Sequence, residues 1–261
     1  MITVGAVMAT YNGEKFLQEQ MDSIIHQTHP LQQIVIVDDC SQDHTRQITA
    51  DYMKAYPGLI RFAENEKNLG PKETFEKGLS LSDTDYIALS DQDDVWQPNK
   101  IETMLEVLAK NREAKLCFHD LKIINSKGDI RAKSYWGKTP KNLPLPVLGR
   151  SARERLASFS NPVPGCTMFF EASLKEQILP MPLSDVGHDW WISAVAFFWA
   201  DPMQLEETLA QYRLHPNQIS GIGTTLKKNK DERKIYPVHL RIAREIRRVI
   251  FNKRLKREKE R

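Results

Sequence analysis

No apolar run reaches the roughly eighteen residues that a membrane-spanning helix needs, anywhere along the 261 positions. The opening residues, MITVGAVMATYNGE, lack a basic start, an apolar stretch and a small-residue cleavage site, so a secretory leader is not expected and the expected place of action is cytoplasmic. Cysteine is scarce. Cys40, Cys117 and Cys166 are odd in number, far apart and without CxxC spacing, which excludes a disulfide frame or a zinc cluster and points to reduced thiols acting as small hydrophobes. Internal repeats are absent, and no low-complexity tract precedes the C-terminal end. A Gly-rich basic phosphate loop is also missing: the first apolar run is followed by TYNGEKF, which argues against an enzyme of the nucleotidyltransferase type.

What is present suffices for a folded domain, since 41% of the residues are hydrophobic in a chain long enough to bury a sizeable core. The net charge of +3 conceals an asymmetry. From Leu226 to Arg261 fifteen Lys and Arg face five Asp and Glu, an excess of +10, so the rest of the chain carries −7. In this tail Ile235, Val238, Ile242, Ile246 and Val249 or Ile250 recur near helical spacing among Arg and Lys, the pattern of a basic amphipathic helix. Such a helix can lie on an anionic membrane surface with its apolar stripe down, or pack on the domain and fray at its charged end; both readings stay open. Nucleic acid is not an expected partner, because the tail lacks interleaved aromatics and the remainder is acidic. The expected division is a main domain over residues 1–221 and a basic helical tail over 222–261.

Ahead of the tail, strand-length apolar runs alternate with helical patterns. ITVGAVMA is followed by TYNGE and then by KFLQEQMDSIIHQTH, whose Phe16, Leu17, Ile24 and Ile25 share one helical face. QQIVIVDD leads to CSQDHTRQITADYMKAY, with Ser41 or Asp43 as the expected N-cap of a helix running to about Tyr56. LIRFAEN, KETFEKGLSLS and DYIALSD then read as strand, helix and strand. This order, with strands apolar enough for cover on both faces, indicates an α/β fold with a mostly parallel sheet between helices. PNKIETMLEVLAKN reads as a helix with Pro98 near its start, KLCFHDLKII and PVPGCTMFF as strands, EASLKEQIL and GHDWWISAVAFFWA as helices, and QLEETLAQYRLH as a short strand pair or extended segment. Asn125 to about Ser160 has the proline content of a loop.

The polar clusters TYN, DDCSQD, NEKNLG and SDQDD fall one after another at the carboxyl ends of the first four strands. Loops and helix N-termini gather there in such sheets, and ligands bind there. The densest cluster, LSDQDDVW, sets Asp91, Asp93 and Asp94 in four positions directly behind YIAL. Carboxylates this close repel one another, and three readings are open: a bound hard cation such as Mg²⁺ or Mn²⁺, which takes oxygen ligands; Asp94 as a cap for the next helix; or an acidic loop facing water.

In order and spacing, the segment Val4 to Gly13, IVIVDDCSQDHT (Ile34 to Thr45), NEKNLGPKETFEKGL (Asn65 to Leu79) and DYIALSDQDDVW (Asp85 to Trp96) resemble family 2 glycosyltransferases of the GT-A fold. PGCTMFF, GHDWW and YRLHPNQISG extend the likeness over roughly Ile2 to Gly221, and LSDQDDVW with HDWW and YRLHPNQISG is most similar to bacterial rhamnosyltransferase-like members that build surface polysaccharides. The resemblance implies a GT-A mixed sheet flanked by helices, here with a C-terminal basic helical extension. It implies that Asp91 and Asp93, with Asp94 adjacent, hold Mg²⁺ or Mn²⁺ and the nucleotide diphosphate, and that Asp39, with Asp38 beside it, meets the pyrimidine. Thr10, Tyr11 and Asn12 would line the nucleotide pocket, Lys72 would touch nucleotide or phosphate although GPKE departs from the commoner form, and His215 would complete the metal shell or touch the diphosphate.

An inverting transfer also needs a base for the acceptor hydroxyl. Asp189 of GHDWW matches it, with His188 standing where the family more often has Glu, and Trp190 and Trp191 could floor an acceptor sugar or belong to the core. The expected activity is transfer of a hexosyl-type unit, first of all rhamnose from dTDP-rhamnose, from a nucleoside diphosphate donor to a glycan or lipid-linked acceptor of a bacterial surface polysaccharide. A UDP-hexose donor is the nearest alternative, and a non-catalytic module that binds sugar nucleotide or membrane is the alternative of a different class. The enzyme could be peripheral on the inner face of the cell membrane through its tail.

Overall fold

The computed structural model describes residues 2–138, 163–182, 186–216, 218, 245 and 248. The first four strands are β1 (Val4–Thr10), β2 (Gln33–Asp38), β3 (Ile60–Glu64) and β4 (Tyr86–Ser90), and the helices between them are α1 (Leu17–Ile25), α2 (Thr45–Ala55) and α3 (Pro71–Leu81). All three pairings among these strands are parallel: β1 with β2, β1 with β4, and β2 with β3. The chain then adds β5 (Val95–Trp96), α4 (Lys100–Lys110), β6 (Leu116–Asn125), β7 (Ile130–Ala132), β8 (Met168–Glu171), the short α5 (Lys175–Ile178), α6 (His188–Trp199) and β9 (Met203–Leu214). One sheet of the described residues runs β3-β2-β1-β4-β8-β6-β9-β5, with β7 on β6. Its second half is mixed: β8 is antiparallel to both β4 and β6, and β9 runs parallel to β6.

Alternation along the central strands divides the apolar side chains between two cores. Val4, Ala6 and Met8 of β1, with Ile34 and Ile36 of β2, face a cluster closed by Leu17 and Met21 of α1 and Met104 of α4. Val7, Val35, Val37, Ile87 and Leu89 face the other, closed by Phe75 and Leu79 of α3 and by Trp191, Ile192 and Val195 of α6. Strands buried on both faces need near-continuous apolar sequence, which is how these runs read. Gly78 lets α3 lie directly on β1, because a Cβ there would stand 2.5 Å from Val7 Cγ1. Val7 is packed inside the core and branched at Cβ, so Gly78→Ala is expected to cost about 1–3 kcal/mol through overpacking, despite the better helix propensity of Ala. A denaturant titration measures it, and a gain in stability would contradict the close approach.

Several expectations are corrected. α2 starts at Thr45 with His44 at the cap position: Ser41 is instead turned inward to Asp38, while Asp43 still accepts the Thr45 amide at 3.0 Å. α4 begins at Lys100, with Asn99 rather than Asp94 at its cap position. EASLKEQIL is not one helix but a 3₁₀ turn, Ala172–Leu174, and the four residues of α5. QLEETLAQYRLH is not a strand pair, and of the two alternatives the extended one holds. It is most of a single twelve-residue strand, β9, whose register against β6 shifts around Asp120. Within the span expected to be loop, Ile130–Ala132 pairs with β6 and Trp136–Lys138 forms a 3₁₀ turn.

Most of the remaining loop and most of the basic tail lie outside the described residues. Of the tail, Glu245 and Arg248 are helical and joined by a 2.7 Å ion pair. Among the described residues no helix is long and apolar enough to cross a membrane.

Candidate active site

The order β3-β2-β1-β4 reverses direction at β1, whose two neighbours connect to opposite sides of the sheet. A crevice opens at the carboxyl ends of the strands at such a reversal, and here the loops after β1, β2 and β4 meet in it. Gln92 links two of them: its Oε1 accepts the Tyr11 amide at 2.9 Å and its Nε2 donates to the Tyr11 carbonyl at 3.0 Å. Asn12, in the left-handed region at φ 49°, donates its amide to Ser41 Oγ and receives the Gln42 amide on Oδ1. TYN is thereby sewn to both the β2 and the β4 loops.

The paired carboxylates after β2 act on the chain itself. Asp38 is buried and accepts from Thr10 Oγ1 at 2.8 Å, from Ser41 Oγ at 2.6 Å and from the Ser41 amide at 2.8 Å. Through these bonds Asp38 fixes the loop that carries Ser41. Asp39 accepts from the Leu69 and Gly70 amides, each at 2.8 Å, and from Asn65 Nδ2. It pins the loop leading into α3, where Gly70 at φ 90° and Pro71 at the first helical position turn the chain. Lys72 is nearly buried in the same corner, with Nζ 3.2 Å from the Met181 carbonyl and 3.1 Å from Glu73.

Ser90 at the end of β4 is held by Gln20 Nε2 at 2.7 Å, and its hydroxyl donates to the Asp91 carbonyl. Beyond it Asp93 parts from Asp91 and Asp94. Asp93 faces His215, Oδ2 to Nε2 2.7 Å, and the imidazole packs on Phe16 with ring centroids 5.0 Å apart. Asp94 turns inward: Oδ1 accepts the Arg213 amide at 3.1 Å, while Oδ2 is buried with no hydrogen-bond partner. Ligand atoms of Asp91, Asp94 and Cys166 lie within 4.8 Å of one another.

Burial pushes the Asp91 carboxyl up to about 7, with the Asp93 and Asp189 charges adding to it and Lys100 opposing. Burial, then the Asp93 and Asp91 charges, raises Asp94 as well. An orphaned buried carboxylate oxygen among mutually repelling acids suits a hard divalent cation, which takes oxygen ligands. The Cys166 thiol is raised by burial and by these same acids, so it stays protonated and is the wrong donor type for Mg²⁺. The carboxylates, with His215 beside Asp93, are the groups that fit the ion.

Asp189 stands in the first turn of α6 and is close enough for its charge to act on Asp91; its Oδ1 accepts the Trp190 amide at 2.8 Å. His188 stacks on Phe75 at 4.0 Å and rests against Gly165, and burial lowers its basicity with Asp189 opposing. It is therefore a neutral packing group at the root of the helix that carries Asp189. Trp190 is half-buried. Trp191 is only 1% exposed and donates its indole N–H to the Ile178 carbonyl at 2.7 Å, which seats it in the core.

Two buried cations were not foreseen. Arg213 of β9 donates from Nε to the Asp93 carbonyl and from a terminal nitrogen to Glu19, and its guanidinium lies over Phe16. Lys100 donates to the Cys166 carbonyl. The signal for Lys100 was available: it precedes Ile101 and stands four and eight residues before Met104 and Leu108, on the buried stripe of α4.

Similarity to known proteins agrees with this geometry. The sequence model described as glycosyl transferase family 2 matches residues 6–177. An uncharacterized glycosyltransferase of Haemophilus influenzae is 30% identical over 247 residues, covering 89% of this chain and 73% of its own length. The dTDP-rhamnosyl transferase RfbG of Shigella flexneri is 38% identical over 235 residues, 84% of this chain and 75% of RfbG. Among solved structures, S. aureus TarS in complex with UDP-GlcNAc superposes with a TM-score of 0.64 at 18% identity, over 83% of this chain and 60% of that one. The mannosyltransferase PcManGT of Pyrobaculum calidifontis does so at 0.60 and 16%, over 80% and 56%. This chain thus spans less than two thirds of either solved chain. With a family match over most of the β1 to α5 sheet and its helices, and relatives of this identity along nearly the whole length, the chain belongs to glycosyl transferase family 2 and has the GT-A fold.

Proposed function

We propose that the protein is an inverting, divalent-metal-dependent glycosyltransferase that moves rhamnose from dTDP-rhamnose to a growing bacterial surface glycan or its lipid-linked precursor. The observation that carries this reading is the close approach of Asp91 and Asp94, with Asp189 near enough that its charge acts on Asp91. The choice of rhamnose rests on the 38% identity to RfbG.

In this reading Tyr11, Asn12 and Asp39 frame the nucleoside, with Asp39 holding the 65–70 loop in place, and Thr10 and Asp38 lock the β1 and β2 ends behind them. Asp91, Asp93 and Asp94, with His215, would hold Mg²⁺ or Mn²⁺, which when bound supplies Lewis acidity and positive charge beside the diphosphate. Asp189 accepts the proton of the acceptor hydroxyl as its oxygen bonds to the anomeric carbon. The bond from that carbon to the diphosphate oxygen breaks, its electron pair leaves with the nucleoside diphosphate, and the configuration inverts. Trp190 lies beside Asp189 and would flank the acceptor.

A donor panel tests the assignment. The protein is incubated with dTDP-rhamnose, UDP-hexoses or GDP-mannose, each with Mn²⁺ or with EDTA, and thermal shift and nucleoside diphosphate release are read together. The expected result is a Mn²⁺-dependent shift and release with dTDP-rhamnose. A shift and release with a UDP-hexose alone would reassign the donor. Binding without release, with a lipid-linked glycan extract supplied as acceptor, would turn the reading to a non-catalytic module.

A further inference from the structure

Lys100 is the first residue of α4 and is 0% exposed. Its ammonium donates to the Cys166 carbonyl at 2.7 Å and lies 4.0 Å from the centre of the Trp96 ring. The same Cys166 brings its sulfur to Asp91 and Asp94, all within 4.8 Å. Cys166 therefore joins the buried ammonium, at its carbonyl, to the two carboxylates, at its sulfur, and the Lys100 charge opposes the rise of Asp91.

Burying an ammonium costs several kcal/mol unless something compensates. One carbonyl and one indole face compensate in part, and a Leu or Met would fill this position on the stripe of Ile101, Met104 and Leu108 without that cost. What only a lysine or arginine supplies here is positive charge beside the acids, still present at neutral pH although burial lowers the lysine to about 8. Arg213 does not duplicate it, because its guanidinium is committed to Glu19, to the Asp93 carbonyl and to the Phe16 ring.

We propose that Lys100 is a built-in counter-cation of the Asp91–Asp94 cluster, a positioning residue that keeps these carboxylates gathered without metal and, for that reason, weakens their hold on the divalent ion. The inference rests on the metal-dependent reading above. Lys100 and the ion are like charges acting on the same acids, so their effects oppose each other at short range in a poorly screened interior. The metal site would be stable when empty, and the ion would be able to leave with the diphosphate.

The test is a comparison of the purified full chain with its Lys100→Met, Lys100→Gln and Lys100→Arg variants at neutral pH. Mn²⁺ affinity is read from the free-ion EPR signal, and melting temperature is read with EDTA and with saturating Mn²⁺. Both neutral variants are expected to bind Mn²⁺ at least about tenfold more tightly than wild type, to melt lower in EDTA, and to gain more from Mn²⁺ than wild type gains. The Arg variant is expected to stay within about threefold of wild type.

A packing role alone would lower the melting temperature equally with and without the ion and would not tighten binding. Unchanged or weaker Mn²⁺ affinity in both neutral variants overturns the proposal, as does failure of both to fold even with Mn²⁺. Should wild type itself bind no Mn²⁺, the metal-dependent reading falls first, an outcome visible without any variant.

Discussion

Asp189→Asn is expected to lower kcat by about 10²- to 10⁴-fold, the usual contribution of a positioned general base, while donor binding and the fold persist. Asn has nearly the volume of Asp and can still accept the Trp190 amide that Asp189 Oδ1 now accepts at 2.8 Å. It cannot take a proton. An Asp in the first turn of a helix is also favoured by the helix dipole, but that interaction is worth only about 0.3–1 kcal/mol of stability and would leave turnover almost untouched. The two roles thus separate by an order of magnitude or more.

Loss of the Asp189 charge also removes one of the influences that raise Asp91, so the variant should keep its carboxylate cluster ionised at least as well as wild type. Single-turnover kinetics with a saturating donor, alongside calorimetric binding of the nucleoside diphosphate, give the answer. Turnover within threefold of wild type would remove Asp189 from the chemistry and leave it a helix-terminal residue.

The parts of the fold that could be read in advance are those in which periodicity is local and uninterrupted. β1, β2 and β4 are apolar on both faces because two cores meet them, and the amphipathic stripes of α1, α3 and α4 appear in runs of ten residues or so. β9 could not be read in the same way. Glu206, Glu207 and Thr208 interrupt its apolar pattern, and its strand character comes from pairing with β6, more than eighty residues earlier, across a shifted register. β5 is two residues long and exists through its pairing with β9, more than a hundred residues later.

In the site, the carboxylates were legible because acids crowd a strand end. What they lean on was not. Arg213 is held by Asp93 and Asp94 from β9, Cys166 is buried within the 3₁₀ turn before β8, and Gln92 is placed where the β1 and β4 loops touch. Each depends on a contact spanning about fifty residues or more, and no short pattern encodes it.

Trp191→Ala is expected to destabilise the protein by about 3–5 kcal/mol, the range for truncating a buried aromatic, whereas Trp190→Ala is expected to leave stability within about 1 kcal/mol and to raise the KM for the acceptor. Neighbouring positions on a helix point about 100° apart, so two consecutive tryptophans do not share one surface. The structure sends Trp191 inward, among Ile178, Val186 and Phe197, with its indole N–H on the Ile178 carbonyl at 2.7 Å, and leaves Trp190 half-buried beside Asp189. Trp191→Phe separates packing from hydrogen bonding: it restores most of the ring and loses the bond to Ile178, so a smaller cost of about 1–3 kcal/mol is expected, that of a stranded carbonyl. Urea titrations of the three variants with acceptor kinetics on the folded ones check the pattern. If Trp191 stacked on an acceptor sugar instead, Trp191→Ala would weaken acceptor binding at unchanged stability, a result opposite in both readouts.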